Sequence, residues 1–301
     1  MLLIPMTELR MTFPDKPRPK PRLFCFVHIQ KCGGTTLNNM LRRNFGLRHV
    51  DIIPVDRMAS LAAAPDFAHA LRFYPRAFSF AGHSLRPYCD FGRFRNQMAF
   101  YTLLRDPVQR FISDYHEHRR HYKMDVPFEV WAAETTNSDW EVKSLSKSGS
   151  LEEAKEVLAS QFAFFDVVDN YARFVATLAE AMSPHRLVEW FEKKNVGSEK
   201  SNDDTALAQA VAQDPNTFDI AMACNQKDLE LLRWAREFLG QRYAHSAVAH
   251  PLASPSASEL LAQRAKNIMS LSIRNLLYKP SVGLWPGEVD ILPTYRIYVE
   301  K

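Results

Sequence analysis

The sequence predicts a three-layer α/β fold in which helices flank a central parallel sheet. Three apolar runs carry this prediction, over residues 23–29, 77–82 and 98–104, and each has the length and composition of a buried parallel strand. A glycine or a basic residue lies at the end of each run or within two residues of it, and helical periodicity follows the first and the third. Ligands bind such sheets at the carboxyl ends of the strands, so we expect the site there.

The first run leads into a glycine-rich turn with the sequence Gln30-Lys31-Cys32-Gly33-Gly34-Thr35-Thr36. An amphipathic helix follows and ends at Gly46; its apolar face consists of Leu37, Met40, Leu41 and Phe45. Glycines let backbone N–H groups approach an anion, and the helix N-terminus adds partial positive charge. We expect Thr35 or Thr36 to cap this helix and to donate a hydroxyl to the same anion. The turn therefore predicts a phosphate-type site.

The two later runs place further polar residues at strand ends. The second run ends at Gly82, so His83 follows a strand as Lys31 does. After the third run come Arg105, Asp106 and Pro107, where Asp106 can be the N-cap of a helix and Pro107 suits its first position. The apolar face of that helix consists of Val108, Phe111, Ile112 and Tyr115.

The Lys31 turn differs from the loop of nucleotide triphosphatases, G-x-x-x-x-G-K-[ST], because Lys31 precedes the glycines. It resembles the 5′-phosphosulfate loop of sulfotransferases that use 3′-phosphoadenosine 5′-phosphosulfate (PAPS). The closest pattern is H-I-P-K-x-G-G-T-[ST], from the branch whose members mostly modify carbohydrates, with Gln30 in the place of proline. Residues 104–115 similarly resemble the family's 3′-phosphate motif, R-[DN]-P-x-x-R-x-x-S, and residues 82–88 resemble its G-H-x-P-Y stretch.

This resemblance implies a P-loop-like fold and a role for each matching residue. The phosphosulfate is expected to bind Lys31, Cys32, Gly33, Gly34, Thr35 and Thr36, and the 3′-phosphate to bind Arg105 and Ser113. A rigid guanidinium fork and a short neutral hydroxyl suit a phosphate. Lys31 is expected to stabilise the leaving oxygen, and His83 is the expected base. Glu117 and Asp114 are weaker alternatives for the base.

These residues predict transfer of a sulfuryl group from PAPS to a hydroxyl, most simply that of a carbohydrate, with 3′,5′-ADP (PAP) as the product. The predicted chemistry needs no metal ion, and His116, His118 and His121 lack the spacing of a metal site. Two other functions stay open at this stage. One is a small-molecule kinase of related topology, and the other is a catalytically degenerate protein that binds a nucleotide.

The charge distribution and the composition limit the possible partners. Residues 1–124 contain 20 Lys and Arg against 9 Asp and Glu, whereas the remainder contains 18 against 25. The positive half holds all three motifs, which suits a doubly phosphorylated donor, and no nucleic-acid module is recognisable. No apolar run suggests a membrane span or a signal peptide, and the scattered cysteines suit a reduced compartment, so we expect a cytoplasmic, bacterial-like enzyme. Cys32 is expected to pack rather than to react.

We expect a flexible tail over residues 1–22, a sulfotransferase domain over 23–240 and an extension of unknown role over 241–301. Helices are expected to dominate after residue 125. The candidates are residues 128–133, 150–158, a helix starting near 169, 228–235 and 259–278. A strand is expected over residues 291–299, and residues 194–198 resemble the family's N-V-[ST] segment. The adenine-contacting residues, the acceptor and the oligomeric state are not predicted.

Overall fold

The computed structural model describes residues 23–56, 58–188, 214–243 and 255–282. Its strands are β1 (Leu23–Val27), β2 (His49–Asp51), β3 (Ser79–Gly82), β4 (Met98–Leu104) and β5 (Phe162–Val167). They form one sheet in the order β2-β3-β1-β4-β5, and every neighbouring pair is parallel. The predicted α/β fold with a central parallel sheet is confirmed.

The described helices lie on both faces of this sheet. They are α1 (Gly34–Phe45), α2 (Ala64–Phe73), α3 (Pro107–Tyr122), α4 (Phe128–Glu134), α5 (Trp140–Leu145), α6 (Leu151–Gln161), α7 (Tyr171–Ala181), α8 (Pro215–Cys224), α9 (Gln226–Arg242), α10 (Ala257–Ile273) and α11 (Lys279–Val282). A π-helical turn over Arg274–Tyr278 joins α10 to α11.

Side-chain alternation along β1 explains the three layers. Phe24 and Phe26 pack with apolar side chains of α1 and α7, whereas Cys25 and Val27 pack with those of α2, α6 and α9 on the other face. Successive residues of a strand point to opposite faces, so a strand covered on both faces must be apolar throughout. This requirement is why β1 was recognisable as an uninterrupted apolar run.

The start of α3 follows the sequence prediction closely. The Asp106 carboxylate accepts a hydrogen bond of 2.9 Å from the backbone N–H of Gln109, and Pro107 is the first helical residue. The buried face of α3 then packs around Trp131 of α4, beside the sheet. This cap and this packing fix how the helix leaves the end of β4.

Two strands were absent from the sequence prediction. The expectation that helices dominate after residue 125 misses β5, which pairs with β4 as the outer strand of the sheet. Its six residues follow α6 directly, with no turn residue between Gln161 and Phe162 to separate the two patterns. The other missing strand, β2, has only three residues, too few for periodicity to be detected.

The C-terminal helices pack against the main body of the protein. Tyr278, which is fully buried, lies beside the segment after β2, where its hydroxyl accepts a hydrogen bond of 3.2 Å from the Ile53 N–H. From α10, the Lys266 ammonium donates to the carbonyl of Asn44 at 3.0 Å. Residues 255–282 therefore contribute to the same core as the sheet.

Several expectations fall outside the described residues: the tail over 1–22, the segment 194–198 and the strand over 291–299. Among the helices that the structure does describe, none combines the length and the apolar character needed to cross a membrane.

Candidate active site

Three neighbouring strands bring the predicted residues together. Because β3, β1 and β4 are adjacent and parallel, His83, Lys31 and Arg105 follow strands that end at one edge of the sheet. The Arg105 guanidinium donates a hydrogen bond of 2.9 Å through Nη1 to the backbone carbonyl of Lys31. The two predicted anion sites are therefore in direct contact.

The turn after β1 adopts an unusual backbone conformation. Lys31 and Gly33 both have positive φ, 66° and 75°, in the region that favours glycine. The expected threonine cap is wrong: Gly33 occupies the N-cap position of α1 and no side chain caps this helix. Thr35 and Thr36 instead lie in its first turn. The first N–H groups of a helix have no carbonyl partner within it, so these donors suit an anion.

Gly34 is required because of a close approach by His28. A Cβ atom added at Gly34 would lie 2.0 Å from Cδ2 of the His28 ring, far inside any allowed contact. His28 itself is buried and stacks on His83 with ring centroids 3.9 Å apart. Burial, and then the adjacent His83 ring, keep the pKa of His28 well below its ordinary value. The imidazole is therefore a neutral spacer between the helix start and His83.

The hydrogen bond of His83 fixes its tautomer. Nδ1 lies 3.0 Å from the carbonyl oxygen of His28, which can only accept, so Nδ1 carries the proton and Nε2 keeps its lone pair. Part of the His83 side chain is exposed to solvent, but protein atoms surround the rest of the ring and weaken its hydration. Desolvation lowers its pKa, the hydrogen bond to His28 opposes this, and the Arg86 charge lowers it further. The ring is thus suited to accept a proton at neutral pH.

Lys31 forms an ion pair with a carboxylate of α3. Its Nζ lies 2.6 Å from Oε2 of Glu117 on α3, with side-chain exposures of 18% and 46% respectively. Although partial burial opposes ionisation, the Lys31 ammonium holds the pKa of Glu117 below its ordinary value. Glu117 is therefore ionised and already balances the Lys31 charge.

A cavity of about 320 Å³ contains nearly all the predicted donor-binding residues. Its lining includes Lys31, Gly33, Gly34, Thr35, Thr36, His83, Arg105 and Ser113. The exception is Cys32, whose buried thiol points away and donates to Oε1 of Glu141 at 3.2 Å. Burial, and then the Glu141 carboxyl, raise the pKa of this thiol, so it is neither reactive nor part of the cavity wall.

Glu141 supports the site from behind. Its Oε1 also accepts a hydrogen bond of 2.9 Å from the backbone N–H of Arg105, so one carboxyl holds both the β1 turn and the end of β4. Burial, and then the charge of Asp228, raise the pKa of Glu141 to about 8. Asp228 in turn accepts the N–H groups of Glu141 and Val142 at the start of α5.

Arg110 lies at the centre of this buried network. It has no solvent exposure and lies 3.9 Å from carboxylate oxygens of both Asp114 and Asp228. Its Nη2 donates to the carbonyl of Asn137 at 2.7 Å. Asp114, which borders the smaller cavity, also accepts a hydrogen bond from the Asn137 amide and so belongs to this network. Within the described residues, no group of three or more His, Cys, Asp or Glu side chains could hold a metal ion.

A second, larger cavity of about 1140 Å³ opens on the other side of His83. Both cavities share four residues, His28, Gln30, Thr35 and His83. The wall of the larger cavity continues over the segment after β2, over Tyr88 and Trp140, and over the C-terminal helices at Leu271 and Arg274. His83 therefore stands at the junction of two adjoining spaces.

The sequence signals for this supporting structure were weak. Arg110 stands inside the 3′-phosphate motif, which marked the position without giving it a role. The position of His28 directly after β1 predicts a core-facing or sheet-end histidine, but no local pattern indicates that it stacks on His83. Glu141 and Asp228 are distant in sequence from both motifs, so no spacing could have linked them to the site.

Comparison with known proteins agrees with this geometry. A family model described as "Sulfotransferase family" matches residues 19–186, which is more than half of the 301-residue chain. The matched range contains the Lys31 turn, His83, Arg105 and Ser113. No curated protein matches the chain.

We predict that Glu141→Gln changes how stability depends on pH. The pKa of this carboxyl is about 8 when folded and near 4.5 in the ordinary case, so the folded chain keeps a proton that the unfolded chain has released between these values. The wild type therefore loses stability as pH rises from about 4.5 to about 8, with no further loss above that. Glutamine mimics the protonated form. The unfolding temperature of the variant should therefore rise relative to that of the wild type as the pH increases through this window. The exposed Glu134→Gln is the control, and equal profiles for both variants would contradict the assignment.

Proposed function

We propose a specific reaction for this chain, which belongs to the sulfotransferase family and is therefore an enzyme of sulfuryl transfer. The reaction is transfer of the sulfuryl group of PAPS to a hydroxyl of a carbohydrate. The observation that carries this proposal is the hydrogen bond between the Arg105 guanidinium and the Lys31 turn, inside one cavity. A single ligand with phosphate groups at two positions can contact both.

The donor's phosphosulfate is proposed to bind the turn after β1. Backbone N–H groups at Gly33, Gly34, Thr35 and Thr36 and the Lys31 ammonium supply donors and positive charge there. The positive φ of Gly33 favours glycine there, and the contact of Gly34 with His28 leaves no room for a side chain at that position. An anion can therefore approach the backbone closely.

The 3′-phosphate is proposed to bind Arg105 and Ser113. Both residues line the same small cavity, and both are partly buried. Arg105 uses one N–H on Lys31 and its backbone N–H on Glu141, which leaves other guanidinium donors for a phosphate. The Asp106 cap and the buried face of α3 hold Ser113 at a fixed place relative to Arg105.

The transfer itself needs a base and a cation. The acceptor oxygen forms a bond to sulfur while the bond between sulfur and the 5′-phosphate oxygen breaks. The acceptor's proton passes to Nε2 of His83, and the Lys31 ammonium stabilises the negative charge that develops on the departing phosphate oxygen. The products are the sulfate ester and 3′,5′-ADP.

His83 suits the base better than Glu117 does. The lone pair on Nε2 is set by the bond from Nδ1 to His28, and His83 borders both cavities. Glu117 is paired with Lys31, which lowers its pKa and makes it a weaker base. We therefore assign the larger cavity to the acceptor and the smaller one to the donor.

A carbohydrate acceptor fits the wall of the larger cavity. Polar side chains such as Asn39 and Ser84 can bond hydroxyls, while Tyr88 and Trp140 offer aromatic surface. The volume of about 1140 Å³ exceeds what a single sugar needs, which favours an oligosaccharide or a larger conjugate.

We predict that Arg105 contributes mainly to the affinity for the donor nucleotide and Lys31 mainly to the rate of transfer. Arg105→Ala should weaken binding of 3′,5′-ADP by about 10- to 100-fold and that of 5′-AMP, which lacks the 3′-phosphate, far less. Lys31→Ala should instead lower kcat by about 100- to 1000-fold, because its interaction strengthens as the leaving oxygen becomes charged. Calorimetry and labelled-donor assays measure these effects. The exposed Arg93→Ala is the control, and tighter binding of ATP with magnesium than of 3′,5′-ADP would contradict the donor.

We predict that His83→Asn keeps 3′,5′-ADP binding and loses about 100- to 10,000-fold in transfer rate. Asparagine can still donate to the His28 carbonyl but cannot take up a proton. The lowered pKa of His83 places the acidic limb of the wild-type kcat/KM profile below pH 6.5, since the base must be neutral to act. That limb should disappear in the variant. Near-normal transfer by His83→Asn would show that another residue is the base.

A further inference from the structure

Arg86 is a buried cation without a carboxylate partner among the described residues. Only 5% of its surface is exposed, and its Nη1 donates to the carbonyl of the adjacent Leu85 at 3.1 Å. Its neighbours also include the Tyr88 hydroxyl, the Cys89 thiol and the Trp140 ring, whose centroid lies 5.9 Å from Cζ. All of these partners are uncharged.

The other buried arginine among the described residues has carboxylate partners. Arg110 is flanked by Asp114 and Asp228, so its charge is compensated. Burying a charge without such compensation costs free energy, and desolvation accordingly lowers the pKa of Arg86. A well-packed apolar side chain would make the folded protein more stable at this position. Stability therefore does not explain the arginine, whereas binding of an anionic ligand would.

The surroundings of Arg86 point to an anion in the larger cavity. Arg86 lines that cavity and follows His83 by three residues in the same loop after β3. Of the two carboxylates in the cavity wall, Asp51 is already bound by Arg42 at 2.7 Å and by Arg274 at 3.3 Å. The other, Asp56, is exposed and accepts the N–H of Met58. Neither compensates Arg86.

We propose that Arg86 binds an anionic substituent of the acceptor, a carboxylate or a sulfate group, and so selects acidic acceptors. This inference rests on the proposed function, because it takes the larger cavity as the acceptor site. The planar guanidinium can bond two oxygens of such a group at once. With the anion held there, a hydroxyl of the same or a neighbouring sugar can reach His83.

The test compares three oligosaccharides of equal length by calorimetry, with and without 3′,5′-ADP, and in transfer assays. One contains glucuronate, the second is its carboxyl-reduced form, and the third is the reduced form carrying sulfate esters. We expect the wild type to prefer one or both acidic forms over the reduced form, and the preferred one identifies the anion. Arg86→Met should weaken binding of the preferred form by about 10- to 100-fold and leave the reduced form within about twofold.

Two controls separate recognition from folding. Arg76→Met removes the same charge from an exposed site before β3 and should keep the wild-type preference. Arg86→Met should unfold at the same temperature as the wild type or higher, because methionine removes an uncompensated buried charge. A lower unfolding temperature together with an unchanged preference would show a structural role and overturn the proposal.

The remaining outcomes distinguish this inference from the proposed function. Wild-type protein that binds no acidic form more tightly than the reduced form overturns the role of Arg86, even if PAPS-dependent transfer to a neutral sugar occurs. An Arg86-dependent preference without any transfer from PAPS retains the anion site and overturns the proposed reaction instead.

Discussion

The hydrogen bond from the Arg105 guanidinium to the Lys31 carbonyl is the contact on which the site depends. It joins the loops after two neighbouring parallel strands, β1 and β4, and so sets the distance between the two proposed phosphate positions. The buried Glu141 carboxyl holds the same two loops from behind, through the Arg105 N–H and the Cys32 thiol. A ligand therefore meets donors whose spacing is already fixed, which reduces the ordering cost of binding.

Close packing of two imidazoles separates the cavity proposed for the donor from the cavity proposed for the acceptor. His28 fills the space against Gly34, and His83 stacks on it with Nδ1 bonded to the His28 carbonyl. The same two rings lie in the walls of both cavities. Because the base must contact the acceptor hydroxyl while its oxygen faces the sulfur of the donor, this junction is where the proposed chemistry can occur. The glycine at position 34 is thus a steric requirement of the histidine pair as well as of the anion.

Local patterns made the ends of β1 and β4 predictable from sequence. The apolar run of β1, the glycine turn after Lys31 and the Asp106–Pro107 helix start all depend on short-range rules, and the structure agrees with them. The rest depends on contacts between distant residues. Glu141 lies 109 residues after Cys32 and accepts a hydrogen bond from its thiol. Strand β5 is stabilised by pairing with β4, and its own sequence pattern does not distinguish it from the helix before it. The threonine cap failed because Gly33 takes the N-cap position in a left-handed conformation.

The most direct measurement is a crystal structure of the protein with 3′,5′-ADP bound. We expect one bound nucleotide whose 5′-phosphate contacts the N–H groups of Gly33 to Thr36 and the Lys31 ammonium. Its 3′-phosphate should contact the Arg105 guanidinium and the Ser113 hydroxyl. A nucleotide bound with either phosphate away from these two strand ends would contradict the proposed donor site.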